Sequence, residues 1–319
     1  MKTKPSHYIL QLILCLALAL PACKAIIEPS ISDRKIIPLA PGDMTSSKSY
    51  ALTFWWEPVE DALSYNLQVV SPSFGNISAL VTDTVIRSNK FILNLKPGDY
   101  EWRVKAQNGS SQTAFSRPRS FTILLSSIKG QSVQLKAPSN NFITNQTNVG
   151  LEWSSLYGAT KYTLQIDTNS FSNESKLVYN QAIPGQQLTF TFPKDQIYQW
   201  RVRAENDTAK ADWSTINTML RDRTPPGQVT VAAPANNQQF SLPVLMQWGA
   251  VATAAKYKLY AFKSDSSTVY NNTFPLLMNG TSYNFSTGVL GERVVWKVSA
   301  VDAAGNEGPA SAMRSFVLR

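Results

Sequence analysis

The side chains that carry acid–base, nucleophilic or metal chemistry are nearly missing from this chain. Its single histidine is His7, and its two cysteines are Cys15 and Cys23. Past residue 23 there is no imidazole to act as a general base, no thiolate nucleophile, and neither of the side chains that zinc and copper favour. No disulfide can form between residues 24 and 319. Carboxylates remain, with Asp and Glu numbering 21, but no pairing of them stands out. An enzyme, a metal and a cofactor are therefore not expected. What is left is contact chemistry, and its residues are aromatic. Of eight tryptophans, Trp55 and Trp213 fall outside a pattern that accounts for the other six.

That pattern is a threefold repeat. Gly98 to Asn108 reads GDYEWRVKAQN and returns as YQWRVRAEN from Tyr198 and as VVWKVSAVD from Val294. Within it Tyr100, Trp102, Val104 and Ala106 alternate with Glu101, Arg103 and Lys105, the period of two that belongs to a strand with one buried face. Further landmarks keep the register. Trp56, Trp153 and Trp248 precede Tyr65, Tyr162 and Tyr257, each by nine positions. Pro41, Pro138 and Pro234 come before those tryptophans. Ser116, Ser214 and Ser311 stand five positions ahead of Phe121, Met219 and Phe316. Units of about 90 to 100 residues built from short alternating strands indicate β-sandwiches rather than a solenoid or propeller, whose repeats are shorter.

Each unit resembles a fibronectin type III domain, on the Trp of the second strand, the Tyr of the third, and the Leu95, Pro97, Gly98 turn into a Tyr-x-aromatic-x-Val-x-Ala strand. The resemblance implies an all-β chain of three tandem sandwiches: residues 37–125, 133–222 and 228–319. Residues 126–132 and the Thr224-Pro225-Pro226-Gly227 stretch read as linkers, the second stiffened by its prolines. Val294 stands where the other units have Tyr100 and Tyr198, so the third is expected to lack the hydroxyl-to-backbone bond of a tyrosine corner. The fold itself implies no function.

The chain opens with Lys2 and Lys4, an apolar run from Tyr8 to Leu20, and then Pro21-Ala22-Cys23. The run is too short to span a bilayer and reads as a secretion signal. Its end resembles a bacterial lipobox, which implies that residues 1–23 form a lipoprotein signal peptide and that Cys23 carries the lipid. Several acyl chains would hold the protein on a membrane durably. Lys24 after the cysteine, where an Asp would retain a lipoprotein at the inner membrane, is similar to the usual outer-membrane sorting pattern. The acidic surface-export signal of Bacteroidota-like lipoproteins has only Glu28 to draw on, so the chain faces either the periplasm or the outside. Residues 24–36, with no alternation, read as a tether. Because the third unit runs to Arg319, the role is expected to lie on the sandwich surfaces themselves.

Trp55 neighbours Trp56 on a strand and must point to the opposite face, which makes it a candidate for contact with a partner or a sugar ring. Trp213 is the second candidate. It stands where the first unit has Phe115, and the plainer reading is that both pack against a loop. Lys2 and Lys4 contribute two of the nine net positive charges, leaving +7 spread over the rest. No basic cluster suggests nucleic acid, and a solvated outer sheet face accounts for the spread. Asn-x-Ser/Thr occurs eight times, read as the composition of Asn- and Ser-rich loops. Asp83-Thr84-Val85 and Asp207-Thr208-Ala209 resemble an O-glycosylation motif of Bacteroidota envelope proteins. The expectation is a non-enzymatic lipoprotein that binds or scaffolds in the cell envelope. Its partner would be an envelope protein or a glycan, the latter as in the accessory lipoproteins of polysaccharide utilisation, and a purely structural envelope role is the remaining alternative.

Overall fold

A computed structural model describes residues 28–319; the leader and Cys23 lie outside them. The chain divides into two compact units between Ser126 and Ser127. The first holds one β-sandwich and the second holds two, and no α-helix occurs among the described residues. The first sandwich comprises β1 (Pro38–Ala40), β2 (Thr45–Ser47), β3 (Ala51–Trp56), β4 (Ser64–Ser73), β5 (Asn76–Ile86), β6 (Lys90–Asn94), β7 (Gly98–Gln107) and β8 (Arg119–Ile123). One sheet has the order β1-β3-β6, the other β2-β8-β7-β4-β5. All pairings are antiparallel except β2 with β8. The other two sandwiches repeat this arrangement with strands from Leu135 to Arg221 and from Val231 to Leu318.

The repeated landmarks have physical causes that the contacts make plain. The hydroxyls of Tyr65, Tyr162 and Tyr257 accept the backbone N–H of Val59, Leu156 and Val251 at 3.0, 3.0 and 2.9 Å. Each tyrosine thus pins the connection that follows its tryptophan. Ser116 accepts Val104 N on its Oγ at 3.2 Å and donates its own N–H to Val104 O at 2.8 Å. Ser214 does the same to Val202 and Ser311 to Val298. A serine at this position therefore closes both backbone groups of a mid-strand residue, the carbonyl through its own N–H and the N–H through its hydroxyl, and an apolar side chain would leave that N–H unpaired. At Pro41, Pro138 and Pro234 the preceding peptide is cis, and there the chain passes from the small sheet to the large one.

The cores follow the period-two reading. Tyr100, Trp102, Val104 and Ala106 are buried, as are Tyr198, Trp200, Val202 and Ala204. In the first sandwich the Trp102 ring meets Phe54 edge-on at 5.3 Å and Trp56 at 6.4 Å, joining the two sheets. Tyr100 and Tyr198 close their corners by donating to Lys96 O and Lys194 O, both at 2.8 Å. Val294 is buried and makes no such bond.

The expected tether is not free along its described length. Ile31 is fully buried in the first sandwich, its N–H on Ser111 Oγ at 2.8 Å. Glu28 accepts Gly109 N, and Arg34 pairs with Glu60 and Asp61 at 2.6 and 2.7 Å. The first linker corrects likewise. Ile128 is buried and Gln131 O accepts Asp212 N at 2.8 Å, so residues 128–132 are folded onto the second sandwich. Apolar burial of one isoleucine in each segment fastens stretches that show no alternation in the sequence.

Candidate binding surfaces

Trp55 points outward from the small sheet of the first sandwich and is 39% exposed. It pairs with Lys90 on β6 and with Ala40 on β1. The Lys90 ammonium sits 4.6 Å from the centre of the indole, a cation–π contact that covers part of one ring face. Ile92, half exposed, lies diagonally across on β6, and Ile37 and Leu39 are exposed at the β1 edge. Beside that edge an open groove of about 430 Å³ is lined by Ile37, Pro38, Asp43, Arg117 and Arg119 among others.

This apolar surface is peculiar to one sandwich. At the positions of Ile37, Leu39, Trp55 and Ile92 the second sandwich has Gln134, Lys136, Glu152 and Thr189. The third has Thr230, Ala232, Gln247 and Asn284. A solvated outer face on an antiparallel sheet alternates toward polar residues; the second sandwich complies, and the third does so but for exposed Leu245.

Trp213 is half buried, and its ring is already engaged. The Arg201 and Arg203 guanidinium groups lie over it at 4.2 and 4.4 Å, and Arg201 stacks on Phe171 from its other side at 4.1 Å. The result is a column, Phe171–Arg201–Trp213–Arg203, on the outer face of the large sheet. Arg201 donates Nε to Gln165 Oε1 at 2.9 Å and Nη2 to Glu174 Oε1 at 2.8 Å. Burial draws the Arg201 pKa down while Glu174 pulls it up, and an arginine so placed stays charged. Glu205 takes Arg203 at 2.9 Å and Thr163 Oγ1 at 2.8 Å. Although burial works the other way, these bonds hold its carboxyl below the ordinary range. Trp213 is thus part of a self-contained stack. The first sandwich repeats the column with Phe74, Arg103, Phe115 and Lys105 at 4.2, 4.4 and 4.8 Å. The sequence carried a signal for it: two outward cations two residues apart on the repeated strand, facing an aromatic residue just ahead of the last strand.

Cys23 lies outside the described residues. Among them no group of three His, Cys, Asp or Glu side chains is placed to hold a metal, and no helix is long and apolar enough to cross a membrane.

No protein-family model matches the chain, and no curated protein matches it. It is similar to the solved structure of chicken CNTN1 FN1–FN3 domains at 16% identity, covering 89% of this chain and 97% of that one, with a TM-score of 0.42. It is also similar to fibronectin(III)-like modules of Clostridium thermocellum CbhA, at 13% identity over 58% of this chain and 92% of that one, TM-score 0.38. The fold itself rests on the sheets: three tandem fibronectin type III-like β-sandwiches, each a three-stranded sheet packed on a five-stranded one.

Proposed function

We propose that this chain is a lipid-anchored, non-catalytic binding component of a bacterial cell envelope, held at Cys23 in the outer membrane and engaging a partner protein through the Trp55 face. The observation that carries this reading is the confinement of outward Trp55, Ile92, Ile37 and Leu39 to one sandwich of three built on the same plan. Clustered exposed apolar side chains mark interaction sites, and aromatic anchors dominate them. Chain length supports the location. From Cys23 to Glu28, which is the first of the described residues and is fastened to the sandwich, five steps reach at most about 18 Å. The anchor thus keeps the first sandwich, the one that carries this face, next to the membrane.

A protein partner is favoured over a glycan because the indole shares its face with exposed aliphatic side chains, Ile92, Ile37 and Leu39, which suit apolar contact and offer a sugar's hydroxyls no hydrogen-bond partner. The test is capture from detergent-solubilised envelopes by the full chain. A partner retained by the wild type should be lost with Trp55→Ala and Ile92→Ser, and Cys23→Ala should release the chain from membranes. Capture indifferent to both face substitutions sinks the face. Binding on a neutral glycan array that Trp55→Ala abolishes points to the glycan reading instead.

A further inference from the structure

The two arginine columns differ at one place. Counted from the shared tyrosines Tyr65 and Tyr162, Gln68 matches Gln165, Phe74 matches Phe171 and Ile77 matches Glu174. Arg103 and Arg201 follow Trp102 and Trp200 on the repeated strand, and Phe115 and Trp213 precede the paired serines. Both guanidinium groups are clamped between two rings, and both give Nε to the matching glutamine at 2.9 Å. In the second sandwich the fork is completed by Glu174, at the start of the Glu174–Lys176 turn, whose carboxylate takes Nη2. At the same count the first sandwich has Ile77, 53% exposed and on strand β5 instead of in a turn, so it supplies no carboxylate. Among the described residues nothing accepts from Nη1 or Nη2 of Arg103. The acids nearby are committed elsewhere: Glu101 accepts Phe74 N at 2.8 Å, and Asp83 accepts the Asn66 and Gln68 amides at 2.7 and 3.0 Å. The Lys105 ammonium, on the far side of Phe115, donates to Gln112.

The geometry points to Arg103 as a receptor for the carboxylate of an acidic peptide segment presented by another protein, seated where Glu174 sits in the second sandwich. A guanidinium fixed in plane by two rings and a glutamine has already lost its rotamer freedom, and its two outer nitrogens present the parallel donors that a carboxylate accepts. That the ligand is peptide rather than acidic sugar follows from the chain's own precedent, since the occupant of the matching fork is a glutamate side chain. The Phe74 ring stacked on the guanidinium at 4.2 Å adds apolar surface for the methylenes of such a residue. The site lies on the large sheet, whereas Trp55 projects from the small sheet of the same sandwich, and the two readings stand or fall separately.

The test uses the full chain in neutral detergent with a fluorescent Glu-rich peptide, a Gln-matched peptide and polygalacturonate, read by anisotropy at low salt. The Glu-rich peptide should bind one site per chain and the Gln-matched peptide should not. Arg103→Lys keeps the charge but loses the fork, and should weaken binding at least tenfold. Glu174→Ala removes the acceptor from Arg201 Nη2 and should raise the stoichiometry from one to two, a readout that holds even where the Arg103 variant fails to fold. Equal binding by Arg103→Lys, an unchanged stoichiometry with Glu174→Ala, or binding of polygalacturonate alone would overturn the proposal.

Discussion

In the third sandwich the Tyr270 hydroxyl donates to the Glu292 carboxylate at 2.9 Å, a bond with no equivalent in the other two. There the corner is tied by Tyr100 or Tyr198 to a carbonyl four residues upstream, and Val294 has no hydroxyl to offer. Glu292 also accepts Val289 N at 3.1 Å. The loop ahead of the repeated strand is thus held from the side, through a carboxylate, instead of from below.

Tyr270→Phe should accordingly cost the third sandwich what Tyr100→Phe costs the first, about 0.5–1.5 kcal/mol for one net hydrogen bond. Urea midpoints of the full chain, at unchanged slope, measure both. A silent Tyr270→Phe beside a costly Tyr100→Phe would show that the third corner goes untied.

The same hydroxyl sets an alkaline limit. Burial first, then the bond and charge of Glu292, push the Tyr270 pKa up to about 12. A raised pKa means that the fold prefers the proton. Its contribution is complete below about pH 10, the unfolded value, and is lost as pH climbs toward 12. Asp265 marks the acid side, lowered to about 2 by the Thr268 hydroxyl and then by backbone N–H bonds; its contribution is present above the ordinary 3.8 and fades below it. No histidine follows His7, so no side chain of ordinary pKa titrates between about pH 6 and 8. Thermal midpoints should be flat from about pH 6 to 9, and should fall only above about pH 10, where Tyr270 begins to lose its proton, and below about pH 4, where Asp265 begins to gain one. A slope between pH 6 and 7 would contradict the assignment.

The strands that carry the cores were legible because a one-sided strand writes its burial as a period of two, and six tryptophans in register said which face was inside. The roles of Tyr65 and Ser116 showed only as recurrence. A hydroxyl that accepts a distant N–H leaves no local pattern. Ile31 and Ile128 were misread for the related reason that a single apolar residue in an irregular segment has no period to reveal its burial. Trp213 looked surplus because the cations that cover it lie 10 and 12 positions earlier, beside it only once the strands pair. Glu174 escaped notice altogether, since its partner Arg201 is 27 positions away.

The second unit carries a joint that one atom should spoil. A Cβ on Gly308 would fall 2.3 Å from Pro226 O and 3.0 Å from Pro226 C, backbone atoms that cannot swing aside. Asn306 Nδ2 donates to Asp222 O at 2.9 Å in the same place. Gly308→Ala should cost about 1–3 kcal/mol by forced displacement and expose residues 222–228 to protease. Gly249→Ala, 3.6 Å from the nearest carbonyl oxygen, Thr230 O, is the control and should leave the protease pattern unchanged. Equal resistance of both variants would mean that the joint yields freely.

Trp102 and Trp55 offer the sharpest contrast between a residue the fold needs and one it presents. Trp102 has no exposed surface, meets Phe54 and Trp56 across the two sheets, and donates its indole N–H to Pro41 O at 3.3 Å. Truncation to alanine removes the ring and opens a cavity that neighbouring strands can only partly fill, at a cost on the order of 3–5 kcal/mol. That is a large share of the roughly 5–15 kcal/mol that holds a typical domain. Trp55 loses only one cation–π contact and its half-covered flank, so Trp55→Ala should cost under about 1 kcal/mol. Urea unfolding of the full chain carrying each change separates the two. If Trp55→Ala unfolds the first sandwich as readily as Trp102→Ala, the indole belongs to the framework of the small sheet, and the face it dominates is not one kept open for a partner.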